Sequence, residues 1–111
     1  MRDFQFYIDK GEVKKVSEDK ALAESLLKNV GTRLQTLKKL DSKDDAVIFF
    51  EIAYDCIREV CDAMLAAKGY KSYSHQASIT YLKKFGFDDS LINRIDRFRA
   101  KRNGSKYYGE E

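Results

Sequence analysis

The sequence predicts an all-α protein, an up-and-down bundle of four helices with a short helix before them. Proline is absent and only six glycines occur in 111 residues, which favours long uninterrupted helices over a sheet with many turns. Apolar residues also recur at intervals of three and four, the spacing that places side chains on one face of a helix. The length indicates a single domain, residues 1–111.

The N-terminal segment, which ends at Gly11, fits two kinds of structure. Phe4, Phe6 and Ile8 alternate as in a strand, but the apolar residues of this segment also fit one face of a helix. We predict a short helix at about 2–10.

A clear amphipathic helix is predicted next, at about 17–40. Ser17 is a good N-cap, and the acidic residues Glu18 and Asp19 suit the positive end of the helix dipole. The apolar residues that we expect to face the core are Leu22, Leu26, Val30, Leu34 and Leu37.

A third helix is predicted at about 43–68, and apolar residues cover most of its circumference. Such a helix is about 39 Å long at 1.5 Å per residue, which one small chain can hardly cover, so we expect a homodimer. Its cysteines, Cys56 and Cys61, lie about 8 Å apart on different faces and are predicted to be reduced core residues of a cytoplasmic protein. No run of residues approaches the roughly 20 apolar positions of a membrane helix, and no membrane association is predicted.

The last two helices are predicted at about 73–85 and 88–103. Ser72 or Ser74 is expected to cap the first of them, and Asp88 the second. The connections between successive helices are short, which is typical of neighbours in an up-and-down bundle.

The final helix carries an arginine on its apolar face. Leu91, Ile95, Phe98 and Arg102 are spaced by four, three and four residues and therefore share one side of the helix. Arginine is rarely buried without a partner. An inward arginine at this position indicates a candidate site for an anion.

Basic residues are concentrated around this arginine. From Arg94 to Lys106 six residues are basic and one is acidic, so this segment exceeds the net charge of +3 of the whole chain. Arg94, Arg97 and Lys101 lie on the neighbouring face. Cations also suit the C-terminal end of a helix, which explains Lys101, Arg102 and Lys106 but not the two earlier arginines. An anion-binding surface and a solvated helix end therefore both stay open.

Other polar residues have simpler interpretations. Glu51, Asp55 and Asp62 form a row with Arg58 between them, which predicts ordinary ion pairs on a solvated or interfacial face and no metal site. His75 is the only histidine and is predicted to be a packed or capping residue, with a place facing the basic groove as the alternative.

The tyrosines divide into two groups. Tyr70, Tyr73 and Tyr81 are predicted to pack at helix ends. Tyr107 and Tyr108 lie beside basic residues and are equally suited to packing or to stacking on a base.

Several short motifs, taken together in their order and spacing, resemble the HEPN family (higher eukaryotes and prokaryotes nucleotide-binding), in its small archaeal and bacterial branch. They are Asp9–Lys15, Phe50–Asp55, Gly69–Lys71, Ser74–Gln76 and Arg102–Gly109. The resemblance implies a dimerising helical bundle with a cleft between subunits that is lined by Arg102 and Asn103. It also implies metal-independent RNA cleavage in active members, often beside a minimal nucleotidyltransferase in toxin–antitoxin pairs.

The sequence departs from this family at the expected catalytic histidine. In active members an arginine that binds phosphate is followed, after four to six residues, by a histidine that transfers protons. Here Tyr107 stands at that position, and a phenol that titrates near pH ~10 is a poor general base at neutral pH. Relatives usually carry another helix after this motif, so we expect the chain to lack a final C-terminal helix.

Three functions follow as hypotheses, none of which needs a metal or cofactor. The first is a dimeric, catalytically impaired module that binds RNA, a nucleotide or a nucleotidyltransferase-type partner. Its binding residues would be Arg94, Arg97, Lys101, Arg102, Asn103, Lys106, Tyr107 and Tyr108. The second is an active ribonuclease that uses Arg102, Asn103, Lys106, Tyr107 or His75. The third is a structural bundle without a ligand.

Overall fold

The chain is mostly helical, as the sequence predicts. A computed structural model describes residues 2–108, with side chains described for residues 2–103. The elements are α1 (Phe4–Asp9), β1 (Val13–Lys15), α2 (Lys20–Leu37), α3 (Ala46–Lys68), β2 (Tyr70–Ser72), α4 (His75–Thr80), a 3₁₀ segment (Tyr81–Phe85) and α5 (Asp89–Tyr108). None of the described helices is long and apolar enough to cross a membrane.

α2 and α3 form an antiparallel hairpin that makes up the largest part of the molecule. Asp19, not Ser17, caps α2, since its side chain accepts a hydrogen bond from the Leu22 backbone N–H at 2.9 Å. The small residues Ala23, Ala63 and Ala66 pack together and let the two helices approach closely.

The buried face of α2 is rotated from the predicted one. Leu22 and Leu34, which we expected in the core, are 48% and 46% exposed. Leu26, Val30 and Leu37 are buried or half-buried as predicted, whereas Ala23 and Arg33 take the inward places expected for Leu22 and Leu34. An arginine therefore takes the position that the sequence pattern assigns to a leucine.

α3 is the central helix, as predicted. Both cysteines are buried and free, and burial raises the pKa of the Cys61 thiol to about 12. The helix ends at Gly69, whose φ of 83° is the left-handed conformation that glycine adopts without strain. At the other end Val47 and Ile48 stay exposed.

A two-stranded antiparallel ribbon joins the two halves of the chain and was not predicted. β1 pairs with β2 in the register Val13↔Ser72, Lys14↔Lys71 and Lys15↔Tyr70. Backbone hydrogen bonds extend the pairing at both ends, from Val16 N to Gly69 O at 2.9 Å and from Tyr73 N to Glu12 O at 2.8 Å. The ribbon and α1, the short helix predicted at 2–10, lie over a core that contains Phe4, Tyr7, Val13, Leu65, Ala77 and Tyr81.

The C-terminal elements pack against α3. Ser74 caps α4 by accepting from Ala77 N at 3.3 Å, and Asp88 accepts from Leu91 N at 2.8 Å at the start of α5, so both predicted caps are confirmed. α5 continues beyond its predicted end at residue 103, through Gly104, to Tyr108.

The buried face of α5 is also rotated from the predicted one. Leu91 and Phe98 are 36% and 43% exposed, whereas Ile92 and Ile95 are buried against Cys61 and its neighbours. Since residues spaced by three and four share a face, the inward row of α5 is Ile92, Ile95, Arg99 and Arg102. The inward face of α5 therefore carries two arginines, Arg99 and Arg102, where the sequence predicts Arg102 alone.

Candidate anion-binding site

The site is built on a row of carboxylates along α3. Glu51, Asp55, Glu59 and Asp62 follow one another at intervals of four, four and three, so they share one face. We expected a solvated or interfacial face here, but Glu59 is only 6% exposed and the other three are half-buried. The row is therefore the polar part of the core, and arginines from neighbouring elements neutralise it.

Arg33 of α2 pairs with the middle of this row. Its Nε donates a short hydrogen bond to Glu59, and its terminal nitrogen lies 3.9 Å from an Asp55 oxygen. Arg58 of α3 itself lies 3.8 Å from Asp55 at the predicted spacing of three residues. A buried carboxylate requires such partners, because an unpaired charge in the interior is costly.

Asp62 completes the row. Its carboxylate accepts a hydrogen bond from the Ser78 hydroxyl of α4 at 3.3 Å. Burial raises the pKa of Asp62, while the nearby Arg58 and the Ser78 hydrogen bond oppose that shift.

Arg102 of α5 lies over the N-terminal part of the row. Its side chain is only 15% exposed, with Nε 3.3 Å from Glu51 and a terminal nitrogen 4.0 Å from Asp55. The guanidinium carbon also lies 5.2 Å from the centre of the Tyr54 ring, within cation–π distance. The inward orientation that the sequence indicates for Arg102 is thus present.

The pairing of Arg102 is incomplete. Its buried Nε makes no hydrogen bond to any described residue, although it lies 3.3 Å from a Glu51 oxygen, because the two groups are poorly aligned. Such a guanidinium has an unused donor held in a fixed place. An oxyanion that displaced Glu51 would be able to use it.

Tyr54 connects Arg102 with the single histidine. The Tyr54 hydroxyl lies 3.1 Å from His75 Nδ1, at the first position of α4. Burial raises the pKa of Tyr54, although Arg102, Arg99 and Arg58 oppose the shift, so the hydroxyl keeps its proton and can either donate to Nδ1 or accept from it. His75 is exposed as a whole residue. In the tautomer whose Nδ1 carries the ring hydrogen, Nδ1 donates to the Tyr54 oxygen and Nε2 is free to accept a proton.

Burial and the surrounding positive charges favour the neutral form of His75. Burial of its ring beside Tyr54 lowers the pKa of His75, and the positive charges of Arg58, Arg102 and Arg99 lower it further. A neutral imidazole at neutral pH can accept a proton through one nitrogen. Neither the packed nor the groove-facing interpretation alone describes His75, since one nitrogen is hydrogen-bonded and the residue remains exposed.

Three of the remaining candidates lie on the exposed side of α5. Arg94, Arg97 and Lys101 are exposed, and Asn103 is half-buried. The side chains of Lys106, Tyr107 and Tyr108 lie outside the described residues. Because the described arginines and carboxylates of the inner cluster nearly balance, the positive field of this end comes from the exposed row.

Arg99 is a site residue that the sequence reasoning missed. It is 19% exposed, its Nε donates to Asp96 at 2.7 Å, and its charge acts on both Tyr54 and His75. Arg99 lies four residues after Ile95 and three before Arg102, a spacing that places it on the inward face. The sequence pattern favours a different face because Leu91 and Phe98 make that one more apolar.

The chemistry that these residues offer is anion binding and proton transfer. Among the described side chains no group of three or more His, Cys, Asp or Glu residues is placed to hold a metal ion. The carboxylates of α3 are instead neutralised by arginines.

Comparisons with protein-family models, with curated proteins and with solved structures found no match to this chain. The likeness to the HEPN family therefore depends on the short motifs alone.

Proposed function

We propose that this protein is a HEPN-like module that binds RNA or a nucleotide through a phosphate group, with Arg102 as the group that receives the phosphate. The observation that carries the proposal is the buried Arg102 Nε, which makes no hydrogen bond to the described residues. A phosphate oxygen would supply the missing acceptor, and a guanidinium binds phosphate with paired donors. The exposed cations Arg94, Arg97 and Lys101 would attract the polyanion to this end of α5.

The experiment compares three variants in binding to a labelled oligoribonucleotide and to ATP, in EDTA. Arg102→Gln is expected to weaken binding at least tenfold, because it removes the directed donors. Glu51→Gln is expected to tighten binding several-fold, because it removes the carboxylate that competes for Arg102. Lys28→Gln, an exposed cation in the middle of α2, is the control and should bind as the wild type does.

The opposite effects of these substitutions separate binding from a structural role. If Arg102 served only to join α5 to α3, the wild type would bind neither ligand, and both Glu51→Gln and Arg102→Gln would lower the melting temperature without other effect. Equal affinity of Arg102→Gln and wild type for both ligands would also refute the proposal.

Dimerisation and a four-helix HEPN-like architecture belong to the same proposal. Apolar side chains on the α2–α3 hairpin support self-association, since several are about half exposed in the single chain: Leu27, Leu34, Val47 and Ile48. Light scattering with size-exclusion chromatography tests the dimer. Co-purification with a nucleotidyltransferase from the source cells tests the toxin–antitoxin partner.

A second candidate, an active ribonuclease, has one observation in its favour. The hydrogen bond between Tyr54 and His75 holds a neutral imidazole near Arg102, which offers a proton acceptor in the absence of the family histidine. Incubation of RNA with purified protein in EDTA decides between an impaired and an active enzyme. Cleavage by wild type that disappears in His75→Ala would establish activity, whereas cleavage that persists in both His75→Ala and Tyr107→Phe would come from a contaminant.

A further inference from the structure

The β-ribbon presents lysines that the ion pairs of the core do not explain. Its six residues include Lys14, Lys15 and Lys71 and no acidic residue. Lys14 and Lys71 are direct cross-strand partners, so their side chains lie on the same face, and both are exposed. Like charges directly opposite each other destabilise a ribbon, and a bound polyanion would relieve that repulsion.

An exposed aromatic ring accompanies these lysines. Tyr73, which we expected to pack, is 63% exposed, and Lys71 Nζ lies 5.5 Å from the centre of its ring. The hydrogen bond from the Tyr73 backbone to Glu12 holds the residue at the end of the ribbon. An exposed ring beside a cation is the combination on which single-stranded nucleic acids stack a base and place a phosphate.

The ribbon is continuous with the site around Arg102. Tyr73 precedes His75 by two residues, a separation of at most about 7 Å. The His75 ring lies 6.1 Å from the Tyr54 ring, which in turn lies 5.2 Å from the guanidinium carbon of Arg102. These distances run through Tyr54, which is 2% exposed, so they bring the ribbon near Arg102 through the interior. A strand of a few nucleotides would pass over the exposed His75 to contact both.

We propose that the ligand is single-stranded RNA and that the ribbon is its second contact. Lys14 and Lys71 bind phosphates, Tyr73 stacks on a base, and Arg102 binds a further phosphate of the same strand. This inference rests on the proposed function and narrows it, because a mononucleotide would occupy the Arg102 site without reaching the ribbon.

The test measures the fluorescence anisotropy of a labelled 12-nucleotide oligouridylate at several salt concentrations in EDTA, with UMP as the short ligand. The double variant Lys14→Gln, Lys71→Gln is expected to bind the oligomer at least tenfold more weakly. Its plot of log affinity against log salt should be less steep by about 1.4, since each lost phosphate contact on a single strand removes about 0.7. Tyr73→Ser should lose about tenfold in affinity with an unchanged slope.

Two controls accompany these variants. The double variant Lys38→Gln, Lys39→Gln removes the same charge from exposed positions at the end of α2 and should bind the oligomer within twofold of the wild type. UMP should bind the ribbon variants as it binds the wild type.

The two proposals fail in different ways. Wild-type affinity of the ribbon variants, with a loss in Arg102→Gln, would overturn the ribbon contact and leave the proposed function intact. Wild-type affinity of Arg102→Gln, with a loss in the ribbon variants, would overturn the proposed role of Arg102 and leave the ribbon as an RNA contact. Equal competition by a 12-base-pair RNA duplex would overturn the single-stranded ligand, and no binding of any RNA would overturn both proposals.

Discussion

The ion pair between α2 and α3 offers the most direct test of the polar core. Glu59 is buried, with a side chain 7% exposed, and Arg33 is its hydrogen-bond partner, 38% exposed. Replacing Arg33 by Met leaves the Glu59 charge in the interior. Breaking a fully buried pair costs about 3–5 kcal/mol, but water reaches the Arg33 side, so we expect a loss of about 2–3 kcal/mol in the free energy of unfolding.

This loss is measurable by chemical and thermal unfolding. For a domain of this size it corresponds to a fall of about 10 °C in melting temperature. Lys28→Met, at an exposed position on the same helix, is the matched control and should change stability by less than about 0.5 kcal/mol. Adding Glu59→Met to Arg33→Met should restore most of the loss, because no unpaired charge remains.

Two outcomes would contradict the expectation for Arg33→Met. A single variant as stable as the wild type at pH 7 would refute the claim that Arg33 compensates the buried carboxylate. A double variant no more stable than Arg33→Met would attribute the loss to packing.

Two further expectations concern one titrating group and two glycines. The NMR titration midpoint of His75 should lie below the usual 6.5. The free energy of unfolding should fall as the pH drops from 6.5 towards that lower midpoint, because the unfolded chain binds the proton first. Arg102→Gln should raise the midpoint of His75, and a wild-type midpoint above 6.5 would contradict the assignment. Gly69→Ala should destabilise by about 2 kcal/mol, since φ is +83° and a Cβ would lie 2.7 Å from the Val16 carbonyl oxygen. Gly31→Ala, in α2 with nothing within 4 Å, should stabilise by up to about 1 kcal/mol, and equal effects of the two glycine substitutions would refute this argument.

Local signals in the sequence were sufficient for the helices and for several of their ends. The capping residues Ser74 and Asp88 and the terminating Gly69 act through hydrogen bonds and backbone angles within a few residues, so they can be recognised without tertiary information. The ribbon could not be recognised in this way. Its strands have three residues each and are paired by residues more than fifty positions apart.

The candidate site was predictable only in part. Arg102 was identified correctly as an inward residue because its spacing from Ile95 places both on one helical side. Its partner Glu51 and the hydrogen bond between Tyr54 and His75 join different elements, and no spacing within one helix indicates them. The exposure of Tyr73 was likewise decided by the ribbon, which was itself unforeseen.

The sequence by itself determined that the chain is mostly helical and that basic charge collects near its end, because both depend on residues close together in the chain. Only the tertiary structure decided which face of each helix is buried. Leu22 and Leu34 of α2 and Leu91 and Phe98 of α5 face outward. Arg33 and Arg102 face inward, since α3 supplies carboxylates that neutralise them. This pairing of Arg33 and Arg102 with carboxylates of α3 joins residues 22 or more positions apart, so the apolar pattern within a single helix cannot predict it.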